Sequence, residues 1–396
     1  MSKIQDVVIL SGARTAVGTY GGSLKDTPPA QLAEVATRAA VERSGLAAED
    51  IRHAVFGNII HTEPRDMYLS RVASVNGGLP VETPAMTLNR LCGSGLQAIV
   101  SAAQLIMLGD TDTALAGGAE SMSRSPYWNN STRWGQRMGH AELTDAMLAA
   151  LHDPFDDCHM GVTAENVAEQ WGISREQQDA LAVQSHQRAA NAIAQGYFKE
   201  QITPVTIKSR RKSVSFDTDE HVRADVSPED LAGLPAIFKK DGSVTAGNAS
   251  GINDGAAAIV MASADYAEQK GLTPLGRLVA YAHAGVEPRL MGSGPIPAVR
   301  QVLQKTGLSV DDMDVIEANE AFAAQALAVA QELGFPPDKT NPNGSGISLG
   351  HPVGATGCII TVKALYELAR IAGRYALVTM CIGGGQGIAA VFERPR

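Results

Sequence analysis

Two of the four cysteines in this 396-residue chain open glycine-punctuated stretches, the first places to look for covalent chemistry. Cys92 lies in Asn89-Arg90-Leu91-Cys92-Gly93-Ser94-Gly95. The residues after it (Leu96, Ile99, Val100, Ala103, Ile106, Met107) predict a buried helix. A thiol at a helix start meets the positive end of the dipole, which lowers its pKa, and flanking glycines let a ligand approach the sulfur. A small buried hydrophobe, the ordinary state of a free cysteine, fits the same residues. Cys381 opens Cys381-Ile382-Gly383-Gly384-Gly385-Gln386-Gly387, directly after an apolar strand, Ala376 to Met380. No Lys-Ser/Thr follows this run and no dinucleotide spacing precedes a helix. A loop whose N–H groups face an oxyanion is the alternative to a phosphate cradle.

Two further polar residues stand at comparable junctions. His351, in Ser348-Leu349-Gly350-His351-Pro352-Val353-Gly354-Ala355-Thr356-Gly357, is held extended by Pro352 just before a helix. A stiffly held, glycine-flanked His suits a general base, although a lone His is more often structural. Asn319 ends the strand from Val315 in Asn319-Glu320-Ala321-Phe322-Ala323. Strand ends present polar side chains to sites, and Asn is equally at home in a strand-end turn.

The elements that must position these residues occur twice. Ser44-Gly45-Leu46 leads through an acidic turn and a short apolar strand to Asn58; Thr306-Gly307-Leu308 leads the same way to Asn319. Both read as helix end, glycine stop, turn and strand. From each Asn a comparable distance reaches Cys92 in one copy and His351 in the other. Each then enters a helix, followed by an apolar strand (Thr113 to Ala116, Tyr375 to Met380) and a Gly-Gly pair. Strands alternating with helices imply a layered α/β fold. Between the copies the texture changes: Trp128, Trp134 and Trp171 occur here, with polar turns and the run Lys208-Ser209-Arg210-Arg211-Lys212. This stretch reads as an insertion on the first copy, here termed a loop domain.

Composition bounds the partners. Lys plus Arg is 33 against 42 Asp plus Glu, a net charge of −9 that argues against a nucleic-acid binder. It leaves room for a small anionic ligand at a local basic patch, although Lys208 to Lys212 reads first as a solvated surface run. With 44% hydrophobic and 19% charged residues the chain can build a large core. The scattered cysteines indicate neither a zinc site nor a disulfide framework, so no metal and a reducing compartment are expected. The uncharged stretch Leu91 to Gly109 is long enough to cross a bilayer. Its Ser94, Gln97, Ser101 and Gln104 read instead as a helix inside a soluble protein. No signal-peptide core is evident, and the expectation is a cytoplasmic protein without a membrane partner.

These motifs, with Gly247-Asn248-Ala249-Ser250-Gly251, resemble the thiolase superfamily in order and over essentially the whole chain. The chain is most similar to the bacterial biosynthetic-type acetyl-CoA acetyltransferases. Within them, Ala150-Leu151-His152-Asp153-Pro154-Phe155 before His159-Met160-Gly161 resembles the broad-range β-ketothiolases linked to polyhydroxyalkanoate synthesis. The resemblance implies an α/β thiolase fold: duplicated βαβαβαββ units forming an α/β/α/β/α core with an inserted loop domain. The halves would be 1–120 plus 242–273 and 274–396, with 121–241 as the loop domain that binds CoA and makes oligomer contacts.

The resemblance also implies roles. Cys92 would attack an acyl-CoA thioester while His351 takes its proton, and Cys381 would remove the α-proton of acetyl-CoA. His351 and a water held by Asn319 would stabilise the enolate, and the N–H groups of Cys92 and Gly383 the tetrahedral intermediate. CoA contacts would come from His159, Met160, Arg223, Phe238, Ala246, Ser250, Met291, Ala321 and Phe322. Acetyl-CoA, acyl-CoA and CoA are then substrates, with no cofactor, and the protein a homo-oligomer, dimer or tetramer, with Ser125 to His140 as a tetramer contact. Two departures stand out. Asp230 falls near a family position that can carry Ser, and Gly344-Ser345-Gly346-Ile347-Ser348 replaces the frequent Gly-Gly-Ala-Ile-Ala, placing two hydroxyls where they could alter the lining. A degradative 3-ketoacyl-CoA thiolase is the alternative. A ketosynthase would pair Cys with two His, and a non-catalytic relative would have lost one of the four residues.

Overall fold

The computed structural model describes residues 4–208 and 213–395; Ser209 to Lys212 of the basic run lie outside the described residues. The first half comprises β1 (Val7–Arg14), α1 (Pro29–Ser44), β2 (Ala54–Gly57), α2 (Leu69–Asn76), β3 (Ala85–Leu88), α3 (Ser94–Leu108) and β4 (Thr113–Ser121). The chain then leaves the sheet for a long excursion holding α4 (Met160–Trp171) and α5 (Arg175–Gln195). It returns as β5 (Asn253–Ser263), inside the 242–273 segment. The second half comprises β6 (Gly276–Gly285), α6 (Pro295–Thr306), β7 (Val315–Ala318), α7 (Ala323–Leu333), α8 (Thr356–Ile371), β8 (Tyr375–Ile382) and β9 (Gln386–Glu393).

The strands run in the order β7-β8-β9-β6-β1-β5-β4-β2-β3. The halves join where β1 and β6 pair antiparallel from Val7 to Ile9. On either side the pairing is the same: β2 with β4 and β7 with β8 are parallel, and the pairs between them and the joint are antiparallel. The duplication is therefore structural. The first half follows βαβαβαββ; in the second, the third strand is reduced to a single bridge between Ile316 and Thr340. Pro336 and Pro337 lie just before that bridge, and residues without an N–H cannot build a ladder. Helices α1 and α6 both stop at a left-handed glycine, Gly45 (φ 74°) and Gly307 (φ 68°), as the repeated sequence requires.

Side-chain alternation builds the layers. In β1, Val7 and Ile9 face the core that contains α3 and α8, while Val8 and Leu10 face the core with α1 and α2. In β8, Ala376, Val378 and Met380 face α3 and α8, while Leu377 faces α6 and α7. Both sheet faces are apolar because both are covered. The result is the α/β/α/β/α stack, with α3 and α8 as its central layer. That layer accounts for the uncharged stretch from Leu91, which packs on β2, β4 and α8.

The central helices meet at their first turns. A Cβ on Gly95 would lie 2.6 Å from the Cys358 nitrogen, and one on Gly357 would collide with the backbone of Leu96. Gly118 is pressed against the Gly354 carbonyl in the same way. This corrects one sequence expectation: Gly117 and Gly118 lie within β4 and not beyond its end, because the His351 loop crosses the strand there. Cys381 likewise belongs to β8 itself, paired with Gly387 across the hairpin. Gly357→Ala is expected to destabilise the fold by about 1–3 kcal/mol, the usual range for overpacking against backbone that cannot move aside. Chemical denaturation checks this; a midpoint equal to wild type would show that the two helices can separate freely.

Candidate active site

Five segments bring the sequence-predicted residues together. Cys92 sits in the turn between β3 and α3, His351 in the loop before α8, and Asn319 just after β7. Cys381 is at the end of β8 and Gly383 in the turn to β9. The Cys92 turn is held in an unusual shape: Leu91 has φ 43°, a left-handed conformation that a branched side chain rarely adopts. Its N–H donates to Asn89 Oδ1 (2.8 Å), and the Ser94 hydroxyl donates to its carbonyl (2.7 Å) while accepting from the Arg90 N–H (2.8 Å).

Two backbone N–H groups, those of Cys92 and Gly383, meet the Cys92 sulfur. Gly383 is clamped: a Cβ there would lie 2.9 Å from Met160 Cε and 3.0 Å from Leu91 Cδ1. The paired donors are the geometry an oxyanion needs. Burial pushes the Cys92 thiol up to about 11, the two N–H groups pull the other way, and Glu120 adds to the rise. The direction is opposite to the sequence expectation of a lowered thiol, because loss of solvent outweighs the two N–H groups. Burial also raises Cys381, with Cys92 beside it, and lowers His351 to about 4. Both thiols and the imidazole are thus neutral at rest. Glu120 is fully buried and pushed up to about 8, opposed by the N–H groups of Ile60, Ile59 and Gly354.

Asn319 and His351 face each other. Asn319 Nδ2 lies 3.4 Å from His351 Nε2, and the Asn319 N–H donates to Thr379 O (3.0 Å). Asn319 Oδ1 is buried without a hydrogen-bond partner among the described residues, an acceptor placed to hold a water or a ligand hydroxyl. The two hydroxyls that depart from the common family form do not alter the lining. Ser348 Oγ contacts Ser185 Oγ (2.8 Å) and Ser345 Oγ donates to the Ala318 carbonyl (3.3 Å). Both belong to a buried network around Glu320, which accepts from Ser185 Oγ (2.6 Å) and Asn341 Nδ2 (2.9 Å). Asp230 caps a short helix with Ser227.

A cavity of about 350 Å³ leads to these groups, lined by His159, Phe238, Ala246, Ser250, Phe322 and His351 among others. His159 stacks on Phe238 (centroids 4.7 Å apart), and Phe322 meets Phe238 edge-on. Met160, Met291 and Ala321 pack around Cys381 with Phe322 beside them. Arg223 does not line the cavity; it is exposed, next to His221, which does. Met122, Leu151, Ile252 and Val353 line the cavity and also pack with Cys92, marking its inner end. Tyr20, Leu148, His221 and Ile237 are among the further wall residues that were absent from the sequence assignment. Leu151 belongs to the Ala-Leu-His-Asp-Pro stretch and Leu148 lies just before it, so both were within reach of that motif; Tyr20 and His221 carried no signal. Cys358 is buried in α8 and Cys158 sits in a short hairpin next to His159; neither cysteine is part of the cavity wall.

Comparison with known proteins places the whole chain in one family. Residues 7–265 match the thiolase N-terminal domain and residues 272–394 the thiolase C-terminal domain. The chain is 64% identical to beta-ketothiolase BktB of Cupriavidus necator, covering 98% of this chain and 99% of that one. It is 49% identical to an acetyl-CoA acetyltransferase of Chromobacterium violaceum, covering 98% and 100%. The crystal structure of human mitochondrial 3-ketoacyl-CoA thiolase in complex with CoA superimposes with a TM-score of 0.96 at 42% identity over the whole of both chains.

The resting protonation state has a direct test. With Cys92 near 11 and His351 near 4, the reactive thiolate is a minor form throughout neutral pH. Inactivation by iodoacetamide at Cys92 is expected to accelerate about tenfold per pH unit between pH 6 and 9, with no plateau. A plateau below pH 8 would establish a standing thiolate–imidazolium pair instead.

Proposed function

The chain belongs to the thiolase family. From that premise we propose that it is a β-ketothiolase, an acyl-CoA:acetyl-CoA C-acyltransferase. It joins acetyl-CoA to acetyl-CoA or a short acyl-CoA and, in reverse, cleaves 3-ketoacyl-CoA with CoA. The observation that carries this reading is a cysteine beneath two N–H donors with a second cysteine beside it, at the inner end of an apolar cavity.

The neutral groups define the order of proton movements. As the Cys92 sulfur bonds to the acyl carbonyl, its proton passes to His351 Nε2, and the N–H groups of Cys92 and Gly383 hold the oxyanion. The C–S bond to CoA breaks, and the departing thiolate takes the proton of Cys381. The Cys381 thiolate then removes the α-proton of acetyl-CoA. The enolate oxygen faces the His351 imidazolium and a water on Asn319 Oδ1, which spread the charge. The carbanion attacks the acyl group, a C–C bond forms, and the Cys92 thiolate leaves and recovers its proton from His351. Each side chain thus ends in its starting protonation state, and the α-proton of acetyl-CoA is in effect exchanged, through Cys381, for the proton that leaves on CoA.

The cavity wall suits the pantetheine arm of CoA: apolar side chains with few polar groups, among them Ser250 and His159. Arg223, exposed and close to His221 of the wall, would meet the anionic nucleotide. The reading includes a cytoplasmic homo-oligomer that supplies 3-ketoacyl-CoA for polyhydroxyalkanoate synthesis and needs no cofactor. Trp134 and Met138, 87% and 92% exposed in the Ser125 to His140 segment, are the side chains that a tetramer contact would cover.

Cys92→Ser is expected to abolish exchange of label between acetyl-CoA and CoA; full exchange in that variant would remove Cys92 as the nucleophile. Cys381→Ala is expected to keep a mass increase of one acetyl group on Cys92 while condensation falls by about 10²–10⁴-fold. Absence of the adduct would defeat the division of labour between the two thiols. Thiolysis of five- and six-carbon 3-ketoacyl-CoAs at rates comparable to acetoacetyl-CoA would support the broad-range assignment, and a strong preference for long chains the degradative alternative.

A further inference from the structure

We propose that the Thr356 hydroxyl is a positioning group that fixes the tautomer of His351, keeping a proton on Nδ1 and leaving Nε2 bare toward Asn319. His351 Nδ1 lies 2.7 Å from Thr356 Oγ1, and the same oxygen lies 3.0 Å from the Pro352 carbonyl. A hydroxyl has one proton to give. If it went to Nδ1, the Oγ1 and Pro352 oxygens would face each other as two acceptors. With the proton on Nδ1, both contacts become hydrogen bonds: Nδ1–H donates to Oγ1, and Oγ1–H donates to the Pro352 carbonyl.

The other side of the ring agrees. The polar contact at Nε2 is the Asn319 Nδ2 amide at 3.4 Å, a donor that matches an unprotonated nitrogen. Thr356 and His351 are 2% and 4% exposed, so bulk water does not substitute for the hydroxyl. The ring is also fixed from its backbone: the His351 N–H donates to Asn253 Oδ1 (2.9 Å), and Pro352 stiffens the following bond. Thr356 is the first residue of α8, and its hydroxyl bonds back four residues, a common habit of Thr in helices. The helix start thereby reaches the catalytic ring.

The consequence rests on the thiolase reading above. A bare Nε2 can take the Cys92 proton and then present it to the enolate oxygen, while Nδ1–H stays on Thr356 throughout. A neutral hydroxyl in place of the carboxylate of many catalytic triads orients the imidazole without making it strongly basic. That agrees with the neutral resting site.

Two substitutions separate orientation from packing. Thr356→Val keeps the shape and removes the hydroxyl; Thr356→Ser keeps the hydroxyl. Proton–nitrogen correlation spectra of ¹⁵N-histidine-labelled protein, with His351→Asn to assign the signal, read the tautomer directly. Wild type and Thr356→Ser are expected to carry the proton on Nδ1, and Thr356→Val to shift it to Nε2 or to a mixture. In thiolysis, Thr356→Val is expected to lose about 10–100-fold in kcat with KM within about twofold, the usual scale for removing an orienting partner. Thr356→Ser should return kcat to within about threefold of wild type. A wild-type Nε2–H tautomer, an unchanged tautomer in Thr356→Val, or Thr356→Ser as impaired as Thr356→Val would each overturn the proposal. Should Thr356→Val not fold, the spectra of wild type and Thr356→Ser still decide. The tautomer is read without turnover, so loss of the thiolase reading, as judged on Cys92→Ser, would leave this result standing.

Discussion

Two helices beginning against each other's backbone is the constraint on which the rest depends. Gly95 and Gly357 stand in the first turns of α3 and α8, and neither has room for a Cβ. The loops that precede those turns carry Cys92 and His351, so the crossing of the helices fixes how the two side chains approach. The duplication explains the pairing: corresponding loops of the two halves meet because corresponding helices cross. A third contact locks the crossing. Glu120, on β4, accepts from the Gly354 N–H (2.9 Å) and so ties the His351 loop to the first half. Asn58 donates to Glu120 and to the Ala119 carbonyl. Asn319, its counterpart, faces His351 and keeps its carbonyl oxygen unpartnered. The two copies keep the same buried carbonyl oxygen without a partner among the described residues and differ in their amide nitrogens, which reach Glu120 and Ala119 in one and His351 in the other.

Magnitudes decide the electrostatics. A helix start stabilises a nearby anion by about 0.3–2 kcal/mol. Each pKa unit corresponds to about 1.4 kcal/mol, and burial carries the Cys92 thiol up to about 11, a larger effect than a helix start supplies. Burial also outweighs the two N–H groups that favour the thiolate. The same two N–H groups are too weak to hold a resting thiolate, yet they meet the sulfur where charge develops once a carbonyl is attacked. A site built this way spends its polar groups on intermediates and not on its ground state.

Much of this was legible in the sequence because glycine, proline and the repeat each demand a particular backbone. Gly45 and Gly307 announced two helix ends, and Pro352 announced an extended His. Elsewhere the sequence misled for identifiable reasons. Gly117 and Gly118 read as a turn, since nothing local shows that the His351 loop crosses β4 there. Ser345 and Ser348 read as lining because their partners, Ser185 and Glu320, come from distant segments. Tyr20 and His221 were invisible as site residues: each lies in an irregular stretch, and only the fold brings them to one wall. Thr356 stood in a quoted motif without a role, since the bond to His351 depends on how the helix starts.

The cavity divides along the same line as the chain. Groups that would make and break bonds come from the duplicated core, where glycine contacts leave little freedom. Much of the wall comes from the excursion between β4 and β5: His159, Phe238, Leu148 and Leu151. The two parts are joined by aromatic contact, His159 on Phe238 and Phe238 against Phe322 of the second half, and Gly161 leaves the space that Phe238 fills. Substitutions in the core change the geometry of several steps at once, because Cys92 and His351 share one crossing and Cys381 lies on the strand packed against it. Substitutions in the excursion change the shape offered to an acyl chain or a pantetheine arm while that crossing stays intact. A duplicated core with a single inserted wall therefore allows substrate range to vary independently of the chemistry.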